Sequence, residues 1–218
     1  GTPTTAACPE FAYTAERDAF VVKRLRAAGA LLIGKTNLDQ FATGLVGMRT
    51  PYPAPRNAID PEVVPGGSSS GSAVAVAQGL VSFSLGTDTA GSGRVPAALN
   101  GIVGLKPSRG ALSNRGVIPA CRTLDCVSIF ALTADDAFEI FKSTAVQDPH
   151  DAYSRAFPAF RRSGRQSQIR IGVPSAETIR FFGDEHQKQS FDRSISTLRE
   201  NGAVVTEINF DPFYAVAE

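Results

Sequence analysis

Apolar side chains recur at the spacing of an α-helix in three stretches of the chain. The clearest predicts an amphipathic helix over residues 184–201, which Gly202 ends. Two more such helices are predicted over residues 15–28 and 134–143, and Thr133 is placed to cap the second of them. Shorter helices are predicted over residues 38–43, 72–79 and 92–99.

Short apolar runs between these stretches predict buried strands, because a strand covered on both faces needs no polar positions. They span residues 30–34, 81–85, 102–105, 169–173 and 204–208. The alternation of strands and helices predicts an α/β architecture with a mixed, mostly parallel sheet. Loops are predicted over residues 49–65, 108–128 and 147–165. The first of these is rich in proline and precedes a glycine-serine cluster, so we expect it to shape a site.

The composition is that of an ordinary globular protein. Hydrophobic residues make up 43% of the 218 residues, and 22 basic side chains balance 21 acidic ones. This balance provides no strong field for nucleic acid or an anionic membrane, so neither is expected as a partner. No apolar run approaches the roughly 20 residues of a membrane-spanning helix. The odd number of cysteines, three, favours reduced thiols and a cytoplasmic protein.

Several common types of site find little support in the sequence. The two histidines, His150 and His186, lie in polar surroundings, and we interpret both as surface residues rather than members of a Ser–His–Asp triad. Cys121 and Cys126 have no ligand partners nearby, so no metal site is expected. We interpret them as packed thiols that help to position Asp125, with a disulfide between them as the alternative.

Two clusters of glycine and serine flank an apolar run. Residues 66–72 read GGSSSGS, and residues 88–94 read DTAGSGR. Glycine at this density lets main-chain N–H groups converge on a small anion. Phosphate binding is one alternative, but the first cluster lacks the Gly-Lys-Ser/Thr ending of a P-loop, and the second lacks the third glycine of a dinucleotide fingerprint. A purely structural turn is the other alternative.

A strand, a glycine turn, a serine and a helix follow one another around Ser92, which is the order of a nucleophile elbow. A serine hydroxyl is a weak nucleophile and needs a base within hydrogen-bond reach. Since no histidine is suitable, the base could be a lysine whose pKa is lowered by burial. A second serine could relay the proton between them.

The sequence PGGSSSGSA followed by GTDTAGSGRVPAA resembles the amidase signature family, and the resemblance spans at least residues 4–136. It implies an α/β/α fold, in which helices sandwich the sheet, and a Ser–cis-Ser–Lys triad that needs neither a metal nor an organic cofactor. By this resemblance, Ser92 is the nucleophile and Ser68, which follows a cis peptide bond, is the bridging serine.

The resemblance also implies two groups that support the reaction. Asp88 and Arg94 would hold the nucleophile turn as an ion pair without reacting. Losing one donor of an oxyanion hole typically costs about 2.7–4 kcal/mol of transition-state stabilisation. The hole would be formed by the main-chain N–H groups of Thr89, Ala90, Gly91 and Ser92.

The lysine of the family has no counterpart in this sequence. In the family it lies just before a segment that resembles GTPTTAACP, which is residues 1–9 here, so we expect it upstream of Gly1. Lys35 and Lys106 match other positions of the family. We therefore interpret residues 1–218 as one partial amidase signature domain, truncated at both ends, and expect this chain alone to be inactive.

Several segments, above all VIPACRTLDCVSIFALTADDA, resemble the allophanate-hydrolysing branch of the family. This implies a small-molecule substrate, allophanate (urea-1-carboxylate), hydrolysed to ammonia and carbon dioxide in the breakdown of urea or cyanuric acid (an s-triazine). Groups that recognise the substrate carboxylate are expected beyond Glu218. A homodimer or a multienzyme assembly is left open. Two alternatives also stay open: a glutamyl-tRNA amidotransferase, of which this chain would be part of the A subunit, and an inactive fragment that serves as a scaffold.

Overall fold

The computed structural model describes residues 1–157 and 169–217. The chain divides into two compact units, Gly1–Phe160 and Arg161–Glu218. The first contains β1 (Pro3–Thr4), β2 (Tyr13–Thr14), α1 (Phe20–Ala27), α2 (Ser70–Ala77), β3 (Phe83–Asp88), α3 (Arg94–Leu99), β4 (Val103–Leu105), β5 (Cys126–Ala131) and α4 (Ala134–Thr144). The second contains β6 (Arg170–Pro174), α5 (Glu185–Glu200), β7 (Val204–Ile208) and α6 (Asp211–Ala217). Short 3₁₀ helices lie at Pro9–Phe11 and Gln40–Ala42.

Strand β5 is the centre of the first unit. Strands β3 and β4 both pair antiparallel with it, in the order β3–β5–β4, and all six of its residues are buried. Because successive side chains of a strand point to opposite faces, Val127 and Ile129 pack with α1 and α4, whereas Phe130 packs with α2 and α3. The sheet of this unit therefore has helices on both faces, as the resemblance implies.

The direction of the strands corrects one part of the prediction. Strands β3 and β4 run the same way, since each is antiparallel to β5, and α3 connects them. The sequence pattern predicts this crossover, but it does not show that β5 lies between the two strands. Among the described strands, β1–β2 and β3–β5–β4 pair antiparallel, and only β6–β7 pair parallel. Antiparallel pairings therefore outnumber parallel ones among the described strands, whereas the sequence pattern predicts a mostly parallel sheet.

The second unit is a parallel strand pair with a helix between its strands. Arg170–Pro174 pairs in register with Val204–Ile208, which confirms both predicted strands. The connecting helix α5 begins after Asp184, whose carboxylate accepts a hydrogen bond from the Gln187 N–H at 2.9 Å. This contact satisfies one of the unpaired N–H groups at the helix start.

Most predicted helices are confirmed to within a few residues at each end. Helix α4 begins where the Thr133 hydroxyl accepts a hydrogen bond from the Asp136 N–H, as predicted. Helix α1 is shorter than the predicted 15–28, because Tyr13 and Thr14 pair with β1 and the helix starts only at Phe20.

Two predictions about strands are wrong. Residues 30–34 form no strand, and Leu31, Leu32 and Ile33 are exposed, because no described strand lies beside them to share hydrogen bonds. Strand β5 instead begins inside the predicted loop 108–128. Its run CVSIFA is buried on both faces, so it lacks the alternation that marks a half-exposed strand, and Ser128 interrupts its apolar character.

The remaining loops behave as irregular structure where they are described. Residues 49–65 contain no helix or strand, and their fold depends on contacts with the end of α3. Asn57 donates to the Leu99 carbonyl at 2.9 Å, and Asn100 donates to the Pro65 carbonyl at 2.7 Å. The part of the predicted loop 147–165 that starts at residue 158 lies outside the described residues. None of the described helices is long and apolar enough to cross a membrane.

Candidate active site

Ser92 lies in the turn that connects the end of β3 to the start of α3. Strand β3 ends at Asp88, residues 89–93 form the turn, and α3 begins at Arg94. Gly91 has a φ of 130°, a conformation that side chains rarely adopt, so only glycine makes this turn without strain. The predicted order of strand, turn, serine and helix is present, with the helix starting two residues later than predicted.

The Asp88 carboxylate fixes this turn through several hydrogen bonds. It is fully buried and accepts hydrogen bonds from the N–H groups of Gly91 at 2.8 Å, Gly93 at 3.2 Å and Arg94 at 3.1 Å. The Arg94 guanidinium binds the same carboxylate through Nε at 2.9 Å and Nη2 at 3.0 Å. Asp88 and Arg94 thus form the predicted ion pair, and their contacts lie within the turn.

The charge of Asp88 is stabilised despite its burial. Burial alone would raise the pKa of Asp88, but hydrogen bonds from the Arg94 side chain and the Gly91 amide outweigh this effect and lower the pKa below its ordinary value. Arg94 remains more than half exposed. We therefore expect Asp88 to stay ionised at neutral pH and to support the turn without exchanging protons.

Ser68 lies beside this turn at the start of α2. It is fully buried, and the Gly67–Ser68 peptide bond is cis, as the resemblance implies. The neighbouring Ser69 N–H donates to the Ser92 carbonyl at 3.3 Å, while the Ser69 hydroxyl bonds both the N–H and the carbonyl of Thr87 at 3.2 Å. These bonds hold the two glycine-serine clusters together.

Asp39 supports Ser68 from the other side, and the sequence analysis did not identify it. Its N–H donates to the Ser68 carbonyl at 2.9 Å. Its buried carboxylate accepts from the N–H groups of Gly47 at 3.0 Å and Arg49 at 2.7 Å. A side chain at Gly67 would collide with the Asp39 carboxylate and would come within 2.5 Å of the Gly47 nitrogen. Gly67 is therefore required by close contact.

The four main-chain N–H groups predicted to form the oxyanion hole differ in whether they already make a hydrogen bond. The Gly91 N–H is already bonded to Asp88. The N–H groups of Thr89, Ala90 and Ser92 make no hydrogen bond to any residue that the structure describes. Three of the four N–H groups thus have no partner among the described residues, whereas the Gly91 N–H is bonded within the turn.

The Ser68 and Ser92 hydroxyls make no hydrogen bond to each other. The Ser68 hydroxyl is buried and has no hydrogen-bond partner among residues 1–157 and 169–217. The direct Ser68–Ser92 contact expected for a proton relay is therefore absent from this structure. Lys35 instead binds the Thr2 carbonyl, and Lys106 binds the Pro107 carbonyl at 2.9 Å, so neither serves as a base for Ser68.

The predicted surface positions of the two histidines are confirmed. His150 and His186 are both exposed. Cys121 and Cys126 are free thiols, the first half-buried and the second buried. In the part of the chain that the structure describes, no group of three or more His, Cys, Asp or Glu side chains could hold a metal ion.

Comparison with known proteins decides the family. The family model named Amidase matches residues 1–218, which is the whole chain. The chain belongs to the amidase family. Its fold agrees with this assignment, because amidase structures that match it have TM-scores of up to 0.93.

Three amidase relatives illustrate the range of similarity. Urea amidolyase of Saccharomyces cerevisiae is 50% identical over all 218 residues, which are 12% of its length. Allophanate hydrolase of Kluyveromyces lactis is 50% identical with a TM-score of 0.93, over 97% of this chain and 34% of that one. In Symbiobacterium thermophilum, the A subunit of glutamyl-tRNA(Gln) amidotransferase is 43% identical over 94% of this chain and 44% of its own length. The chain thus spans less than half of each relative.

Proposed function

We propose that this chain is part of an amidohydrolase that hydrolyses allophanate. The observation that carries the proposal is the contact between the two glycine-serine clusters: the Ser69 N–H, next to the buried Ser68, donates to the carbonyl of the buried Ser92. Identity of 50% to an allophanate hydrolase supports the choice of substrate. We further propose urea or cyanuric acid breakdown as the pathway and the cytoplasm as the location.

The reaction would proceed through an acyl-enzyme. The Ser92 hydroxyl oxygen attacks the terminal amide carbonyl carbon as its proton passes to Ser68, whose own proton passes to a neutral lysine. The carbonyl oxygen becomes negative and is bound by the free N–H groups of Thr89, Ala90 and Ser92. The C–N bond then breaks, the nitrogen takes a proton back through Ser68, and ammonia leaves. Water attacks the remaining carbamate ester by the same proton route, the bond from the carbonyl carbon to the Ser92 oxygen breaks, and N-carboxycarbamate leaves as Ser92 regains its proton. Decomposition of this product yields the carbon dioxide and a second ammonia.

The state of Ser68 fits this role. A buried hydroxyl without a partner costs about 1–3 kcal/mol, so such groups are uncommon in folded proteins and are often functional. The relay needs the Ser68 and Ser92 hydroxyls to come within hydrogen-bond distance, a contact that in the absence of substrate is often long. We propose that the lysine lies upstream of Gly1, because no described lysine contacts Ser68.

The test compares two polypeptides: the 218-residue chain, and the same chain extended in both directions in its own reading frame, called the extended polypeptide. We expect ammonia release from allophanate by the extended polypeptide and none by the 218-residue chain. In the extended form, Ser92→Ala should abolish turnover and Ser68→Ala should reduce it strongly. Ser143→Ala is the matched control, since the Ser143 hydroxyl binds only the Glu139 carbonyl on α4. Turnover by the short chain would refute the lysine placement, and full activity of Ser92→Ala would refute the nucleophile.

A second candidate is part of an amidotransferase, because the A subunit of one such enzyme is 43% identical over nearly the whole chain. It would release ammonia from glutamine instead of allophanate. Measuring ammonia release from each substrate by the extended polypeptide separates the two proposals. Activity with glutamine alone would favour the amidotransferase over the allophanate hydrolase. Measuring the molecular mass of the same sample in solution would distinguish a homodimer from a larger assembly.

A further inference from the structure

Asp125 is a buried carboxylate at the end of the loop that precedes β5. Only 4% of its surface is exposed, and no cation forms an ion pair with it in the described part of the chain. Its oxygens accept hydrogen bonds from the N–H groups of Ala120 and Cys121, each at 3.0 Å, and from the Thr89 hydroxyl at 2.5 Å. All of these donors are neutral groups.

The contact with Thr89 differs in kind from the other two. Ala120 and Cys121 belong to the same loop as Asp125, so their bonds shape that loop. Thr89 lies 36 residues away and is the first residue of the nucleophile turn. Hydrogen bonds to an ionised acceptor are shorter and roughly twice as strong as neutral ones. Because the hydroxyl has one proton, this bond fixes the Thr89 side chain and with it the orientation of residue 89.

The orientation of residue 89 matters for the free donors of the turn. The N–H groups of Thr89 and Ala90 precede and follow its Cα, and neither is held by a hydrogen bond of its own. The later part of the turn is fixed differently, because the Gly91 and Gly93 amides are bonded to Asp88. The Thr89–Asp125 bond is therefore the side-chain contact that fixes the first half of the turn.

We infer that Asp125 is a positioning residue that acts through the Thr89 hydroxyl and aims the N–H groups of Thr89 and Ala90 at the developing oxyanion. This inference rests on the proposed function, since it assigns those N–H groups to the oxyanion hole. It also connects the loop 120–125 to the reaction: a change in that loop alters the transition state through one hydrogen bond. Donors that act in a transition state must be held in place before the reaction starts.

The variants separate this role from a purely structural one. Thr89→Val keeps the shape of the side chain and the bonds within loop 120–125 but removes the hydroxyl. Thr89→Ser restores the hydroxyl. Asp125→Asn tests the acceptor, and the double variant Thr89→Val/Asp125→Asn tests whether the two act as a unit. Thr133→Ala is the control for stability, because it removes the cap of α4 and should lower the urea midpoint of unfolding from a place remote from the turn.

Two readouts are measured on the extended polypeptide: steady-state allophanate hydrolysis, and the rate at which a fluorophosphonate labels Ser92. The phosphoryl oxygen of the label needs the same N–H donors but not the allophanate specificity. For Thr89→Val we expect kcat and the labelling rate to fall about tenfold with KM within twofold, a smaller loss than deletion of a whole donor. Thr89→Ser should recover most of this loss, and the double variant should be no slower than Asp125→Asn.

The outcomes distinguish the inference from the proposed function. If the parent labels but does not hydrolyse allophanate, the substrate assignment fails, and the labelling rates of the variants still decide the inference. If Thr89→Val labels within twofold of the parent, or loses activity only to the extent that Thr133→Ala does, the inference is wrong. If the parent neither labels nor hydrolyses, Ser92 is not the nucleophile and both fail.

Discussion

The N–H of Asp39 donates a hydrogen bond to the carbonyl of Ser68 at 2.9 Å, although the two residues are 29 positions apart. Through the same residue, the loop around Gly47 and Arg49 is linked to Ser68, because the Asp39 carboxylate accepts both of their N–H groups. Ser68, which precedes α2, is thus held by a segment far from it in the sequence.

Replacing Asp39 should therefore affect both stability and catalysis. In Asp39→Asn, one of the two carboxylate oxygens becomes an NH₂ group that faces an N–H donor, so one buried bond is lost at a cost of about 1–3 kcal/mol. Urea unfolding should show this loss, and kcat of the extended polypeptide should fall with it. Asp60→Asn is the control, because Asp60 is exposed and accepts one bond, from Glu62, within its loop. Unchanged stability in Asp39→Asn would refute the assigned role.

We expect both the charge and the shape of the Arg94 guanidinium to contribute to the stability of the folded protein. Arg94→Lys keeps the charge but cannot bind both oxygens of Asp88 through a rigid fork. We expect Arg94→Lys to lose about 1 kcal/mol and Arg94→Met about 2 kcal/mol of unfolding free energy, since hydrogen bonds to a charged group are lost and water still reaches this site. Thermal unfolding of both variants checks the order. Equal stability of parent and Arg94→Met would show that the pair contributes nothing.

The unfolding free energy should fall in acid. Burial raises the pKa of Asp148, but bonds from the Arg115 side chain and the His150 N–H outweigh it, so the pKa is lowered as it is for Asp88. A lowered pKa in the folded state contributes stability that is complete above the unfolded value of about 3.9 and disappears as pH falls through the folded value. Urea unfolding at pH 6, 4 and 3 measures this. Asp148→Asn should show a shallower decline than the parent, and an equal decline would contradict the assignment.

Gly93 and Ser128 are packed too closely for a side chain at position 93. A Cβ there would lie 2.7 Å from the Ser128 Cβ and still closer to its hydroxyl. Gly93→Ala should therefore cost about 1–3 kcal/mol by overpacking. Adding Ser128→Gly should recover most of that loss, whereas adding Ser128→Ala should recover less, because the Cβ remains. Chemical unfolding of the three variants checks this order, and no recovery in Gly93→Ala/Ser128→Gly would place the strain elsewhere.

The sequence predicted best what depends on neighbouring residues. The turn around Ser92 is formed by neighbouring residues, so its local pattern carried the information. The Asp88–Arg94 pair followed from the family resemblance. Helix α5 followed from its periodicity and its end at Gly202. The cis bond before Ser68 came from the family resemblance, which no local propensity would have supplied.

The sequence did not predict what depends on distant partners. Strand β5 reads as loop because its burial on both faces comes from helices far along the chain. Asp39 is bonded to Gly47, Arg49 and Ser68, and the run in which it lies, NLDQF, contains no sign of these contacts. Asp125 was noticed only as a neighbour of two cysteines, and the Cys121 N–H does bind it. Its bond to the distant Thr89 was not predicted.

The close approach of Gly93 to Ser128 also restricts the order in which these positions can evolve. The Ser128 hydroxyl has no partner among the described residues, so exchanging Ser128 for glycine removes an unsatisfied group and is the milder step. A lineage that acquires a larger residue at position 93 is therefore expected to pass first through glycine at position 128. Amidases should accordingly show correlated residues at these two positions, although the two lie on different elements and neither reacts.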